Sequence, residues 1–216
     1  MKMLEIDLPI PDHTTLSRRA CGLSVRQPAR MGAGELHLIV DGAGLKLRGA
    51  WRKLHAGIDA DTGEIVAFDL TDKDVDDASH VPALLDEPPQ AAASFMGDGA
   101  YDGAATYDAV LARNPSARFI VPPCKGAVPS PTATTSPTQR DLHIFAIDEH
   151  GRMNWQKASG YNKRSKVEVS IGRYKRVIGD TLKSRHDDRR TTEVALAVKS
   201  LNRMNELGSA KFVRAA

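Results

Sequence analysis

Two aspartates stand in sequence surroundings that suit metal-assisted chemistry. Asp41 ends the apolar run 35–41 and begins Asp-Gly-Ala-Gly, and Asp98 ends the run 92–98 and begins Asp-Gly-Ala-Tyr. A carboxylate at the end of a strand, beside glycines, is accessible to a hard cation and is held by a rigid element. Aspartate before glycine is also a common turn former, and for either residue alone the turn is the better explanation. Because two aspartates occur in the same context, the metal-site explanation gains support relative to the turn explanation.

A third acid, Glu168, lies in the cation-rich segment 161–176. If this segment is one α-helix, four residues fall within roughly 60° of one another on its surface: Tyr161, Arg164, Glu168 and Lys175. A neighbouring stripe that can pack against a core holds Val167, Ile171 and Ile178. A glutamate among cations is usually a surface ion pair that contributes ~0–1 kcal/mol. Joined to Asp41 and Asp98, it would instead complete three carboxylates able to hold two Mg²⁺ ions, with the cations around it binding phosphates.

The apolar patterning predicts the elements that must position these acids. Short β-branched or apolar runs predict five strands, over 35–41 with 45–48 as a continuation, 53–58, 64–70, 92–98 and 118–121. The segment 59–63 predicts a hairpin turn, and its Asp-Thr-Gly and Asp-x-Asp-x-Gly patterns are explained by turn chemistry alone. Helical character is found at 81–85, 102–113, 162–180 and 191–207, whereas 124–140 is a Pro-rich loop and 141–155 is ambiguous. The acids of 72–80 are expected only to favour the first turn of the helix that follows. This order predicts an α/β fold with a mixed sheet.

Composition limits the classes of protein to which the chain can belong. Its 216 residues, 41% hydrophobic and 26% charged, are sufficient for one domain with a sizeable core. The net charge of +3 is unevenly distributed, because residues 151–216 hold 16 basic and 6 acidic residues while residues 1–150 hold 14 and 21. A basic third of this kind predicts a polyanion partner, with nucleic acid first, although a solvated helix surface explains the charge equally well.

The cysteines and the hydropathy also exclude several classes. With only Cys21 and Cys124, the chain has neither a disulfide framework nor, from cysteine alone, a tetrahedral zinc site. No apolar run approaches the ~20 residues that span a bilayer, and the acidic start is unlike a signal peptide. These features predict a reducing cytoplasm and no membrane partner.

The spacing of the third element resembles a known family. Tyr161-x2-Arg164-x3-Glu168-x6-Lys175 is similar to the Y-R-E-K signature of bacterial insertion-sequence transposases of the DDE class. The segments around Asp41 and Asp98 resemble the family's first-Asp strand and second-Asp segment. Residues 172–180 resemble the continuation of its Glu-bearing helix. The resemblance extends from about residue 8 to residue 208.

The resemblance implies a ribonuclease-H-like fold, with a mixed sheet flanked by helices and an insertion before the Glu-bearing helix. It implies that Asp41, Asp98 and Glu168 are the catalytic residues and the ligands of two Mg²⁺ or Mn²⁺ ions. The DNA-binding residues that it implies are Tyr161, Arg164, Arg173 and Lys175. The expected partner is double-stranded DNA, at the transposon ends and the target, bound by a homodimer in the active complex. The expected location is the bacterial cytoplasm, with nucleoid association when bound to DNA.

The family comparison also predicts how the chain is divided. Residues 1–34 are expected to be the remnant of an N-terminal end-binding region and a linker, because the first catalytic strand begins so early. Residues 35–208 would form the ribonuclease-H-like catalytic domain, with the insertion at about 122–160, and residues 209–216 a tail. The predicted activity is metal-dependent DNA strand cleavage and strand transfer. Two alternatives stay open: a nuclease or resolvase of the same fold, and a decayed transposase that only binds DNA.

Overall fold

The computed structural model describes residue 18 and residues 34–208 of the chain. The predicted N-terminal segment, apart from residues 18 and 34, and the predicted tail 209–216 lie outside the described residues. Five strands form one sheet: β1 Leu36–Leu47, β2 Ala50–Asp59, β3 Ile65–Asp72, β4 Ala92–Met96 and β5 Arg118–Ile120. The α-helices in this region are α1 Val81–Asp86, α2 Ala104–Arg113, α3 Gln139–His150, α4 Arg152–Ser159, α5 Ser165–Val177 and α6 Asp187–Leu207.

The sheet is mixed, with strand order β3-β2-β1-β4-β5. β1, β2 and β3 form an antiparallel meander, while β4 pairs parallel with β1 and β5 pairs parallel with β4. This arrangement confirms the predicted α/β fold with a mixed sheet flanked by helices, which is consistent with a ribonuclease-H-like architecture. The hairpin between β2 and β3 is also confirmed, since Asp59 accepts hydrogen bonds from Thr62 and Gly63 adopts φ of 72°.

Alternation along β1 distributes its side chains between two apolar cores. Ile39 and Leu45 belong to the core beneath α5 and α6, which also buries Val167 and Tyr174. Leu36, Leu38 and Val40 belong to the core beneath α1 and α2. A strand that is covered on both faces reads as a nearly continuous apolar run, which is why β1 was recognisable in the sequence.

Two local expectations were wrong. Asp41 does not end its strand, because β1 runs without a break to Leu47 and pairs with β2 from Leu38 to Leu47, which includes most of the continuation expected at 45–48. Segment 161–176 is not one α-helix: Tyr161–Arg164 is a 3₁₀ turn and α5 begins at Ser165. The cause is Gly160, whose left-handed φ of 79° ends α4 and redirects the chain before α5 starts.

The shift in helix boundaries changes which residues share a face. Glu168 and Lys175, seven residues apart in α5, remain on one side of the helix. Tyr161 precedes the α-helix and packs, partly buried, against the core under α5 and α6. Ile178 lies beyond α5 and is exposed, and Tyr174 is buried with Val167 in the packed stripe instead.

The segment predicted as an insertion, 122–160, contains a loop followed by two helices. The ambiguous part of the sequence, 141–155, falls within α3 and α4. α3 begins with a capping box in which Thr138 and Asp141 satisfy each other's backbone N–H groups. Arg140, in the first turn of α3, donates two hydrogen bonds to Asp102 and a third to the carbonyl of Val128 in the loop. The loop is held to Asp102 directly as well, by the N–H of Cys124. In the described part of the chain, no helix combines the length and the hydropathy needed to cross a bilayer.

Candidate active site

The parallel register of β1 and β4 brings the two aspartates together. Ile39 pairs with Met96, so the positions two residues farther along, Asp41 and Asp98, are neighbours at this end of the β1–β4 pair. Asp41 lies within β1, and Asp98 follows the last residue of β4 by two positions. The separation of 57 residues in sequence is therefore closed by strand pairing.

Each aspartate is fixed to the backbone through one carboxylate oxygen. The N–H of Gly42 donates to Oδ1 of Asp41 at 2.9 Å. The N–H of Ala100 donates to Oδ1 of Asp98, also at 2.9 Å, which caps the 3₁₀ turn Gly99–Tyr101. In both residues, Oδ2 is left for another partner.

That partner is the guanidinium of Arg164. Its Nη2 lies 3.2 Å from Oδ2 of Asp41 and 3.5 Å from Oδ2 of Asp98. Its Nη1 donates to Oε1 of Glu168, one helical turn farther along. Asp41, Asp98 and Glu168, which we call the acidic triad, therefore meet around a single cation. The side chains of Asp41 and Arg164 are only 20% and 17% exposed, whereas Glu168 is 57% exposed and closes the outer side.

Burial and like charges act together on Asp41. Burial raises the pKa of this carboxyl, and the nearby Asp98 and Glu168 raise it as well, while Arg164 and the Gly42 N–H lower it. The net direction is upward, chiefly because burial disfavours the charged form of the carboxyl and Arg164 does not fully offset this. Burial lowers the pKa of Arg164, but the acids around it raise it by more, and the guanidinium stays charged.

The chemistry of the triad fits a hard divalent cation, but its present geometry is organised around Arg164. Carboxylate oxygens are the ligands that Mg²⁺ and Mn²⁺ prefer. Among residues 34–208, no group of three or more His, Cys, Asp or Glu residues is arranged closely enough to hold a metal ion. Each acid of the triad instead faces the guanidinium.

The residues predicted to bind DNA occupy three different settings. Lys175 lies on the Glu168 side of α5 and has no hydrogen-bond or ion-pair partner among the described residues. The ring of Tyr161 lies beside Trp155, with 5.5 Å between ring centroids, and burial raises the pKa of its phenol. Arg173 faces α6, where it donates to Asn205 at 2.7 Å and to the carbonyl of Leu201 at 3.1 Å. The structure thus gives Arg173 a helix-packing role, and its role in DNA binding stays a prediction.

A buried polar network lies behind Asp41 on the opposite face of β1. Oδ2 of Asp77 pairs with Nζ of Lys53 at 3.1 Å, and its Oδ1 lies 3.1 Å from Nδ1 of the fully buried His55. A Cβ placed on Gly42 would approach Oδ1 of Asp77 to 2.2 Å, so only glycine next to Asp41 leaves room for this carboxylate. The acids of 72–80 were expected only to favour the start of the helix that follows. Asp76 does so, because its carboxylate accepts from the N–H of Ser79 at 3.0 Å at the start of the 3₁₀ turn Ala78–His80, whereas Asp77 pairs with Lys53 and His55 instead. The Asp-Gly pair at 41–42 was the only sequence signal for this contact.

A second close approach supports Asp98. The ring of Tyr101 packs so tightly on the end of β4 that a Cβ on Gly97 would meet it at 2.6 Å. Burial raises the pKa of Tyr101, and Asp77, Asp41 and Asp98 raise it further, so its phenol is neutral at the base of the site. The glycines beside the two aspartates therefore do more than form turns: they leave space for the side chains of Asp77 and Tyr101 to pack directly behind the site.

Comparison with known families agrees with this architecture. A family model described as "Transposase DDE domain" matches residues 32–203, which is most of the chain and includes the whole acidic triad. A second model with the same description matches residues 1–50, a range that includes Asp41. Membership of this family accounts for the mixed sheet flanked by helices. The chain belongs to the DDE-class transposases.

Proposed function

We propose that this chain catalyses metal-dependent cleavage of DNA strands and their transfer to target DNA during transposition of an insertion sequence. One observation carries the proposal: three carboxylates from β1, the β4 end and α5 contact the same guanidinium. Sequence separations of 57 and 70 residues between these acids make a local surface ion-pair strip a poor explanation. Family membership supports the transposase activity and its DNA substrate.

The proposed metal ligands are Asp41, Asp98 and Glu168, for two Mg²⁺ or Mn²⁺ ions. When bound, these ions supply a deprotonated water and stabilise the charge that develops on the phosphate. Oδ1 of each aspartate is held by a backbone N–H, so Oδ2 is presented from a fixed position. Glu168 is the most exposed ligand and lies on the first turn of α5, where it can close over the site from the solvent side.

The proposed role of Arg164 changes when DNA binds. In the structure its single charge partly offsets the charges of the triad. Displaced from the triad, the guanidinium would lie next to the place where the scissile phosphate would bind. Phosphate is a bidentate partner for arginine just as carboxylate is. Lys175, about 10 Å from Glu168 along the same face of α5, would contact a neighbouring phosphate. Tyr161 would line the same surface.

The chemistry needs no nucleophilic side chain. In cleavage, water attacks the phosphorus and the bond from phosphorus to O3′ breaks, which leaves a free 3′-hydroxyl. In transfer, that hydroxyl attacks a phosphodiester of the target strand and displaces its O3′. The triad residues orient the reacting groups in both steps. We further propose, on the resemblance alone, that two copies pair in the active complex and that the protein associates with the nucleoid.

Product analysis tests this function against a nuclease of the same fold. The substrate is a labelled duplex with a free 3′-hydroxyl at the element end, incubated with supercoiled plasmid and Mn²⁺. The proposal predicts labelled plasmid with the wild type and none with Asp98→Asn. Nicked but unlabelled plasmid would show that the chain is a nuclease without transfer activity. Binding without either product would show a protein that has lost its chemistry.

A further inference from the structure

A groove with a basic lining, which we call the basic groove, lies at the turn that joins β1 to β2, between this turn and the segment 181–185. Its lining includes Arg48, Trp51, Lys183 and Arg185, and its volume is about 720 Å³. Around Lys183 and Arg185 it continues into a second depression of about 710 Å³. It is separate from the acidic triad, since about 20 Å of β1 lies between Asp41 and the hairpin turn.

The acids near the groove are already used to hold its walls. Asp180 pairs with Lys46 at 2.7 Å, and the backbone of 180–182 bonds to both sides of Lys46. Asp187 accepts from Arg52 at 2.7 Å and from Arg190 at 2.6 Å. Asp72 pairs with Arg52 as well.

Three further cations have no such partner. Among residues 34–208, the side-chain nitrogens of Arg48, Lys183 and Arg185 make no ion pair or hydrogen bond. The N–H groups of Lys183 and Ser184 are bonded to the carboxylate of Glu193, which fixes the backbone of this wall and leaves the lysine side chain free. The groove therefore presents unneutralised positive charge on a firmly held backbone.

The groove also contains an aromatic platform. Trp51 is 48% exposed, which is unusual for so large an apolar side chain in a strand. Its ring lies against β1 at Gly44, where a Cβ would approach it to 3.1 Å, and Nζ of Lys46 lies 5.9 Å from the ring centroid. The ring is thus supported from below and held beside free cations, as in a surface that stacks bases and binds phosphates.

We propose that the basic groove binds a DNA strand that flanks the site of cleavage, with its phosphates on Arg48, Lys183 and Arg185 and an unpaired base stacked on Trp51. This proposal rests on the proposed function, since the partner is the DNA on which the triad acts. The distance of about 20 Å corresponds to roughly six base pairs of duplex. Lys175 and Arg176 stand near the end of α5, in sequence between Glu168 and the groove-lining segment 181–185.

The two tryptophans of the chain make the test direct. Trp155 is 3% exposed, so binding at the groove should change the emission of Trp51 alone. The probes are a 12-nucleotide single strand, a blunt duplex, and inorganic polyphosphate, which has charge but no base. We expect quenching by the single strand, weaker quenching by the blunt duplex and none by polyphosphate, and loss of the quenching in Trp51→Phe. Unchanged wild-type emission with saturating single strand would overturn the proposal, as would equal quenching by polyphosphate.

Affinity measured for charge variants provides the second arm. Lys183→Ala and Arg185→Ala should each weaken single-strand binding several-fold and lower the slope of log affinity against log salt by about 0.7. Lys199→Ala, an exposed lysine on α6 outside the groove, is the matched control and should bind as the wild type does. Wild-type affinity and salt slope in both groove variants would overturn the groove while leaving the proposed function intact, if the triad still cleaves. Failure of the wild type to bind any DNA would overturn both.

Discussion

Replacing Arg164 with alanine should strengthen metal binding in the absence of DNA. In the structure, the guanidinium occupies the place where the carboxylates would close around an ion. Its contact with Asp41, 3.2 Å long and mostly buried, is a charge-assisted hydrogen bond of about 1.5 kcal/mol. Its longer contact with the half-exposed Asp98 adds about 0.5 kcal/mol. A metal ion entering the wild-type site must replace about 2 kcal/mol of interaction, which corresponds to about 30-fold in affinity.

Titration with Mn²⁺, followed through water-proton relaxation, measures this difference. Arg164→Ala should bind Mn²⁺ about 30-fold tighter than the wild type without DNA, yet cleave DNA less well because a phosphate contact is lost. Arg176→Ala is the matched control: Arg176 is exposed on the same helix and contacts none of the triad acids. Mn²⁺ binding by Arg164→Ala that is equal to or weaker than wild type would refute the competition between arginine and metal.

Three further results are expected. Gly42→Ala should lower the free energy of unfolding by about 1–3 kcal/mol, because the added Cβ displaces Asp77. Gly172→Ala in α5, where a Cβ meets open space, should raise it by about 0.5–1 kcal/mol. Equal urea midpoints for the two variants would contradict this account. Asp102→Asn should lower the free energy of unfolding by about 2 kcal/mol at neutral pH, because it removes the charged partner of Arg140. Burial raises the pKa of the Asp102 carboxyl, but Arg140 and the Cys124 N–H lower it by more. The pKa of Asp102 is therefore depressed in the folded protein, so its stabilisation is present above the ordinary Asp pKa and fades as pH falls through the depressed one. Urea unfolding at pH 7 and pH 3 should show a smaller difference in stability between the wild type and Asp102→Asn at pH 3. A difference that stays constant would exclude this linkage. Lys175→Ala should weaken duplex binding and lower its salt slope by about one unit in gel shifts at several salt concentrations, and an unchanged slope would remove it from the DNA surface.

The sheet was predictable because its strands are short apolar runs separated by glycine, proline or polar turns. Asp41 and Asp98 follow their apolar runs at equivalent positions. Once β1 and β4 are taken as parallel neighbours, the two aspartates are expected to lie side by side. The unbroken course of β1 was less predictable: Asp-Gly-Ala-Gly at 41–44 is typical of a turn, yet the strand runs through it to Leu47, within the continuation expected at 45–48. Pairing with β2, a tertiary effect, outweighs the local preference of this sequence for a turn.

The contacts of charged side chains were less predictable than the backbone. Helical spacing placed Arg164 near Glu168 correctly. The 3₁₀ turn Tyr161–Arg164 had one sequence signal, Gly160, because glycine in the left-handed conformation commonly ends a helix. The contact of Arg164 with Asp41 spans 123 residues, and no local pattern encodes such a pair. The same holds for Asp77, whose partners come from a neighbouring strand and from the space left by Gly42.

The central claim is that Asp41, Asp98 and Glu168 form one metal-dependent catalytic site for DNA. Glu168→Gln tests it most directly, because the substitution keeps the size of the side chain and removes the charge of its most exposed member. Plasmid nicking in Mn²⁺ and duplex affinity are measured in parallel for the wild type, Glu168→Gln and Glu149→Gln, an exposed control on α3. The account predicts that Glu168→Gln loses nicking by at least 100-fold while binding DNA as well as or better than the wild type, and that Glu149→Gln matches the wild type in both. Undiminished nicking by Glu168→Gln would contradict the assignment of the third carboxylate.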